Sequence, residues 1–356
     1  MGGYPILVDG KEKNMKFIHI ADIHLGVTED GTNRWQSLKQ VMERAEAERV
    51  DFLLIAGDLF HGQPLMRDLK RFAELGQNLS KTQVILMAGN HDHLQPRSNY
   101  LTFQWPDNIH FFQQEVWCSL DFPKVNTCIY GMSYWHKELP ETEGQNITIK
   151  NTGRINLLLM HGGDAKHQPF SPEKLAGAGF DYVACGHIHK SGRLLGDTVI
   201  MAGSLEPVKI SDTGVHGYWM GEINGTQKKV EFFPIQNLEY VECQAAVTPS
   251  MGREALREKI GLLLEHKKDY QKLALTIKGR YHMDEDLGLE ELEQLQGISS
   301  LNTELMPDYD FAELKERYRG QFLGRYLKAL ESIPEDRIRE KAMYYGTDAI
   351  LKADRE

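Results

Sequence analysis

The sequence has no apolar run of the roughly 20 residues that a membrane-spanning helix needs, which excludes a helical membrane protein. Its N-terminus carries no basic-then-apolar secretory signal, so the expected location is the cytoplasm. The four cysteines, Cys118, Cys128, Cys185 and Cys243, show no paired spacing. That excludes a Cys-based zinc motif and reads as reduced thiols. Positive charge is not in excess either: 51 Asp and Glu against 41 Lys and Arg give −10. An even spread would count against a nucleic-acid partner, but eleven acids and one Lys lie between Met283 and Glu316. That segment carries the whole imbalance, and total charge says nothing against a local phosphate-binding surface.

What the chain does have is five short apolar runs, each followed by metal-binding residue types. Lys16–Ile20 precedes Asp22 and His24, and Phe52–Ala56 precedes Gly57-Asp58. Val84–Ala88 precedes Gly89-Asn90-His91-Asp92, Ile155–Met160 precedes His161, and Tyr182–Cys185 precedes Gly186-His187-Ile188-His189. Runs of this kind are the buried strands of an α/β sheet, whose functional groups gather beyond the strands' carboxyl ends. The spacings from Asp22 to Asp58 and from Asp58 to Asn90 suit βαβ crossovers, with helices over Trp35–Arg49 and Arg67–Asn78. Short strand-like pieces occupy Ile109–Met132. Thr198–Ala202, Gly217–Ile223 and Lys229–Pro234 read as antiparallel strands with a turn at Asn224-Gly225. The expected fold is α/β, two sheets packed face to face with helices outside.

Residues 1–14 precede a second methionine, Met15, and are set aside as an N-terminal extension; they would be an alternative start or an appended segment. The main domain is expected over 15–240. Near Val241 the character changes to a small α+β unit over 241–306, with strands at Val241–Val247 and Leu273–Lys278. Helices are expected at Gly252–Glu265 and Leu289–Gln296. A helical segment over 307–356 follows, with Phe311, Leu314, Tyr318, Phe322, Tyr326 and Leu330 at helical spacing and a break at Pro334.

Seven of the polar residues at the strand ends form a ligand set for two divalent cations. Asp58 is the natural bridge, because an ionised carboxylate offers one oxygen to each ion. Asp22, His24 and His189 complete one shell; Asn90, His161 and His187 complete the other. Carboxylate, imidazole and amide oxygen together favour Mn²⁺, Fe²⁺ or Zn²⁺ over Ca²⁺ or Mg²⁺. His91 follows a ligand directly and is the candidate to hold a phosphate and protonate a leaving group. Asp92 is expected to orient its ring, and His61 is a second phosphate-positioning candidate. The remaining histidines, His167 and His216 among them, read as ordinary surface or core residues.

As a set, Asp22-x-His24, Gly57-Asp58, Gly89-Asn90-His91-Asp92, His161 and Gly186-His187-x-His189 resemble the signature of the calcineurin-like metallophosphoesterases. The resemblance spans roughly Met15 to Pro234 and implies a four-layer α/β-β/α sandwich. Ile18–Gly26 and Ala56-Gly57-Asp58-Leu59-Phe60-His61 are further similar to the SbcD-type nucleases of double-strand-break repair, including their YhaO-like branch. That resemblance implies manganese-dependent exonuclease (3′→5′) and endonuclease action on DNA and a catalytic contribution from His61. It also implies a capping domain, a homodimer and a partner that is an SbcC-like coiled-coil ABC ATPase. Met251–His282, with eight bases and four acids, is the candidate DNA contact, and the C-terminal helices are the candidate docking segment. Trp105, Tyr134 and Trp135 are candidates to stack on a base, or packing residues. The alternative reading is a stand-alone phosphodiesterase or nucleotidase on small nucleotides.

Overall fold

The computed structural model describes residues 15–26, 34–140, 147, 149, 153–225 and 227–353. The extension over 1–14 lies outside them. The chain divides into two compact units, 1–240 and 241–356.

In the first unit, one six-stranded sheet contains β1 (Met15–Ile20), β2 (Phe52–Ala56), β3 (Gln83–Met87) and β4 (Ile109–Phe112). The other contains β5 (Cys118–Phe122), β6 (Thr127–Gly131), β7 (Ile155–His161), β8 (Tyr182–Gly186), β9 (Gly192–Leu195) and β10 (Val199–Met201). The hairpin β11 (Gly217–Asn224) and β12 (Gln227–Pro234) returns to the first sheet, giving the order β12-β11-β1-β2-β3-β4. The second sheet runs β5-β6-β7-β8-β10-β9. Within each sheet a parallel run (β1 to β4, then β6, β7, β8 and β10) carries the ligand-bearing strands.

Side-chain alternation along these strands builds the layers. In β2, Phe52, Leu54 and Ala56 face the second sheet, packing with Leu157, Leu159 and Tyr182. Leu53 and Ile55 face the other way, onto Leu38, Val41 and Phe72 of the helices Arg34–Glu48 and Met66–Gln77. The second sheet repeats the device: Leu158, Val183 and Cys185 turn outward onto Leu175 and Phe180, around the helix Pro172–Gly177. Helices, sheet, sheet and helix form the α/β-β/α sandwich, and the central strands are buried on both faces, which is why they read as continuous apolar runs.

One strand sense departs from expectation. Segment 198–202, expected to be antiparallel, forms β10, which runs parallel to β8 and antiparallel only to β9. The four-residue strand β9 is half exposed and has too few apolar residues to announce itself.

The second unit has a three-stranded sheet, β13 (Glu239–Val247), β14 (Gln271–His282) and β15 (Ile298–Asp308), with the helix Arg253–His266. β15 falls where no strand was expected: it is an edge strand with mostly half-buried or exposed residues, so no apolar alternation marks it. The acidic helix is correspondingly short, Leu289–Glu293. The stripe from Phe311 to Leu330 is two helices, Phe311–Arg317 and Phe322–Leu330, interrupted around Gly320, whose φ of +79° is left-handed. The break shifts the register, so Leu323 and Leu327 are buried while Phe322 is 65% exposed. A last helix spans Asp336–Ala353. Acids of this unit fold back onto its bases: Arg253 meets Glu291 and Asp286, Arg280 meets Asp308, and Arg317 meets Asp284. Among the described residues no helix is long and apolar enough to cross a membrane.

Candidate metal centre

Beyond the ends of β1 and β2 the chain continues as two parallel extensions. The Asp22 N–H donates to the Gly57 carbonyl (3.2 Å), His24 N–H to Asp58 (3.0 Å) and Leu25 N–H to Leu59 (2.9 Å). To turn their side chains into one spot, Asp22, His24 and Asp58 adopt φ of 50°, 50° and 49°, and His187 adopts 93°. These are left-handed conformations that side-chain-bearing residues rarely hold without compensation.

The seven expected ligands do converge. Asn90 Oδ1 lies 2.9 Å from His161 Nε2 and 3.0 Å from His187 Nδ1. Asp58 Oδ2 is 3.4 Å from His161 Nε2 and 3.8 Å from His24 Nε2, and His24 Nε2 is 3.3 Å from His189 Nε2. Asp22, His24, Asp58 and His161 are at most 1% exposed.

The outer partner of each ring identifies the nitrogen that faces inward. His161 Nδ1 donates to the Ala56 carbonyl (2.8 Å), His187 Nε2 to Asp164 (2.8 Å) and His189 Nδ1 to Asp212 (2.7 Å). Each therefore turns a lone pair towards the carboxylates of Asp22 and Asp58 and the amide oxygen of Asn90. Asp22 Oδ1 is buried with no hydrogen-bond partner among the described residues. The other oxygens are partly served, Asp22 by His187 N–H (2.8 Å) and Asp58 by His91 N–H (2.9 Å), but buried acceptors still outnumber donors, which is destabilising unless a cation fills the cluster. Divalent cations fit this donor set.

The electrostatics agree. Burial raises the Asp22 carboxyl to about 6. Burial also acts to raise Asp58, but His161 beside it wins and holds Asp58 below the usual carboxylate range. Burial would lower His161; Asp58 overrides it and lifts the imidazole to about 9.

Three glycines let these groups approach. A Cβ on Gly57 would collide with the His161 ring, one on Gly89 with the Asp58 carboxylate, and one on Gly186 with the Ala56 carbonyl.

His61 and His91 stand beside His24. Their ring centroids are 4.9 Å apart, and His91 lies 4.8 Å and His61 5.2 Å from His24. Asp92 differs from expectation. Its carboxylate accepts from Gly89 N–H (2.8 Å), Phe60 N–H (3.1 Å) and Tyr100 hydroxyl (2.6 Å), tying the Asn90 and Phe60 loops together. The His91 ring packs instead beside those of His61 and His24, and its backbone N–H donates to Asp58 (2.9 Å). Asp92 is drawn inward because a buried carboxylate takes whatever donors are near, and burial, followed by Asp58, raises it to about 7.

The sequence did not reveal Asp164 and Asp212, the carboxylates behind His187 and His189. Asp164 had a faint signal, following His161-Gly162-Gly163; Asp212, 23 residues from His189, had none. His216 and His167, read as ordinary, support these two. Of the candidate stacking aromatics, Tyr134 is fully buried with its hydroxyl on the His161 carbonyl (2.6 Å). Trp105 packs among Phe72, Tyr100 and Phe103.

Comparison with known proteins bears on the same residues. Residues 15–191 match the family model described as calcineurin-like phosphoesterase. The uncharacterized metallophosphoesterase YhaO of Bacillus subtilis is 28% identical over 276 residues, covering 69% of this chain and 67% of that protein. Two solved structures are each 15% identical with a TM-score of 0.40. A dimetal phosphatase from Danio rerio matches 61% of this chain and 95% of its own. GAP50, the anchor in the inner membrane complex of Plasmodium, matches 62% and 84%. The family uses two divalent metals, in keeping with the acceptor cluster at the strand ends. Residues 15–191, which include all seven converging side chains, thus match the calcineurin-like phosphoesterase family.

Proposed function

We propose that this phosphoesterase hydrolyses phosphodiester bonds of DNA, with Mn²⁺ as the preferred metal. The observation that carries the metal chemistry is the convergence of lone pairs from His161, His187 and His189 on Asp22, Asp58 and Asn90. Asp22, His24 and His189 would hold one ion and Asn90, His161 and His187 the other, with Asp58 between the two sets. When bound, the ion pair neutralises phosphate charge and activates water near neutral pH.

The protein's own groups do the rest. The left-handed turns at Asp22, His24, Asp58 and His187 fix the ligands before substrate arrives, so little reorganisation accompanies reaction. His91, whose ring packs beside His61 and whose backbone N–H is held by Asp58, meets a phosphate oxygen and delivers a proton to the leaving oxygen. His61, whose Nδ1 is 3.2 Å from His24 Nδ1, positions the same phosphate from the neighbouring side. Asp92 keeps the loops that carry Asn90 and Phe60 in register.

Support for DNA as substrate comes from Leu59-Phe60-His61 after Asp58, which is similar to the SbcD-type nucleases, and from a second unit that a small-molecule enzyme does not need. On this reading the 241–306 segment contacts DNA, and the C-terminal helices dock on an SbcC-like ATPase. The test is hydrolysis of end-labelled single- and double-stranded DNA beside bis-p-nitrophenyl phosphate, with Mn²⁺ or chelator. Manganese-dependent DNA cleavage is expected. Cleavage of the small diester alone, even with the ATPase added, would replace the nuclease reading with a small-nucleotide phosphodiesterase.

A further inference from the structure

We infer that Asp164 and Asp212 are positioning residues that divide the metal centre between them, Asp164 acting on the ion held by His187 and Asp212 on the ion held by His189. The inference rests on the assignment of those two histidines as ligands.

His187 and His189 lie two residues apart on the segment after β8, yet they face the centre through different nitrogens, Nδ1 for His187 and Nε2 for His189. A neutral imidazole has two tautomers of similar energy, so something outside the centre must select opposite ones. The carboxylates do so: Asp164 takes the His187 Nε2 proton and Asp212 the His189 Nδ1 proton. An ionised acceptor also makes the ligating nitrogen more basic, which strengthens its bond to a cation. His161, at the rigid end of β7, has only the neutral Ala56 carbonyl behind it. The two rings on the loop are the ones given charge.

Each carboxylate is anchored independently of the ring it serves. Asp164 accepts from the backbone N–H groups of Lys166 (2.8 Å) and His167 (2.9 Å) and from the His167 ring (2.9 Å). The preceding Gly163, at φ +129°, gives the turn that aims it back at His187. Asp212 sits in a closed circuit. Its carboxylate also accepts from Val208 N–H (3.1 Å), and its own carbonyl accepts from His216 Nε2 (3.1 Å). Ser204 hydroxyl donates to His216 Nδ1 (2.9 Å), and Ser204 N–H donates to the His189 carbonyl (2.9 Å), returning to the start. The two differ in solvent exposure: the Asp164 side chain is 44% exposed and that of Asp212 only 8%. Solvent screens the first, so its effect is the smaller.

The test is calorimetric titration of Mn²⁺ into the full chain, for Asp164→Ala and Asp212→Ala in the parent, His187→Ala and His189→Ala backgrounds. The parent takes two ions, and each histidine variant loses one. Asp164→Ala weakens one ion by about 10-fold and Asp212→Ala one ion by up to about 100-fold. Asp164→Ala has this effect in the His189→Ala background and none in His187→Ala; Asp212→Ala does the reverse. Asp164→Asn, which keeps an acceptor oxygen, recovers most of the affinity and guards against misfolding as the cause. An effect that ignores background, or that weakens both ions, overturns the inference, since general loosening of the loop would do that. A third ion in the parent that disappears in Asp164→Ala also overturns it, by making Asp164 and His167 ligands. If His187→Ala and His189→Ala lose no ion, the ligand assignment falls, and the inference with it.

Discussion

Gly57, Gly89 and Gly186 each stand one residue before a group that faces the metals, and each has no room for a methyl. Gly89→Ala should therefore push the Asp58 carboxylate out of its bridging place and abolish tight Mn²⁺ binding, read by the same titration; unchanged stoichiometry and affinity would show that the loop can yield. His91 makes a complementary case. It is not needed as a ligand, so His91→Ala should keep both ions and lose about 10²- to 10⁴-fold in rate, the contribution of one positioned acid; loss of an ion would instead make it one of a His24, His61 and His91 ligand group. Full activity in that variant would remove its role. At this scale, the converging residues were legible because a polar residue straight after a buried strand has few other reasons to be there. Asp164 and Asp212 were not, because an Asp in a polar loop looks the same whether it faces a histidine or water. Asp92 misled for a related reason: adjacency to His91 in sequence says nothing of which way a buried carboxylate turns.

Among the elements, β1 carries a buried histidine that takes no part in the metal chemistry. His19 is fully buried with Nδ1 on the Tyr182 hydroxyl (2.9 Å), and burial, opposed in part by the Cys185 backbone, lowers it to about 3 from 6.5. Below pH 6.5 the unfolded chain takes up this proton and the folded chain does not. The stability it contributes is complete above pH 6.5 and is lost as pH falls towards 3, by roughly a few kcal/mol in all. His19→Gln should thus lose less stability than the parent between pH 7 and pH 4, measured by urea unfolding in chelator. Equal slopes would place the acid sensitivity elsewhere. The central strands were legible to within a residue or two because both faces are buried. β15 and the split between the helices Phe311–Arg317 and Phe322–Leu330 were not: a half-exposed edge strand need not alternate, and one left-handed Gly320 breaks a stripe that spacing alone joins.

For the molecule as a whole, ligand binding to one unit should appear as a local gain in stability. Mn²⁺ at a hundredfold excess over its Kd adds about 2.7 kcal/mol per site, roughly several degrees in Tm for a unit of this size. Calorimetric scans should show the transition of unit 1–240 rising with Mn²⁺ and that of 241–356 unmoved; a rise in both would mean that the second unit also binds the ion. The sandwich architecture was legible because its five apolar runs repeat one pattern. The charge of the second unit was legible in amount but not in use. Its acids neutralise its own bases through pairs such as Arg280–Asp308 and Arg317–Asp284, and only coordinates reveal which charges are already spoken for.

The left-handed backbone at Asp22, His24 and Asp58 has a consequence for how such a chain can change. Glycine holds φ near +50° without strain, and it would also remove the crowded acceptors. Asp22→Gly should therefore relax the backbone of the metal-free fold while giving up the hydrogen bond from His187 N–H, and should lose the ion that Asp22 would hold. The strain at these positions is what presenting three side chains at one spot asks of the backbone.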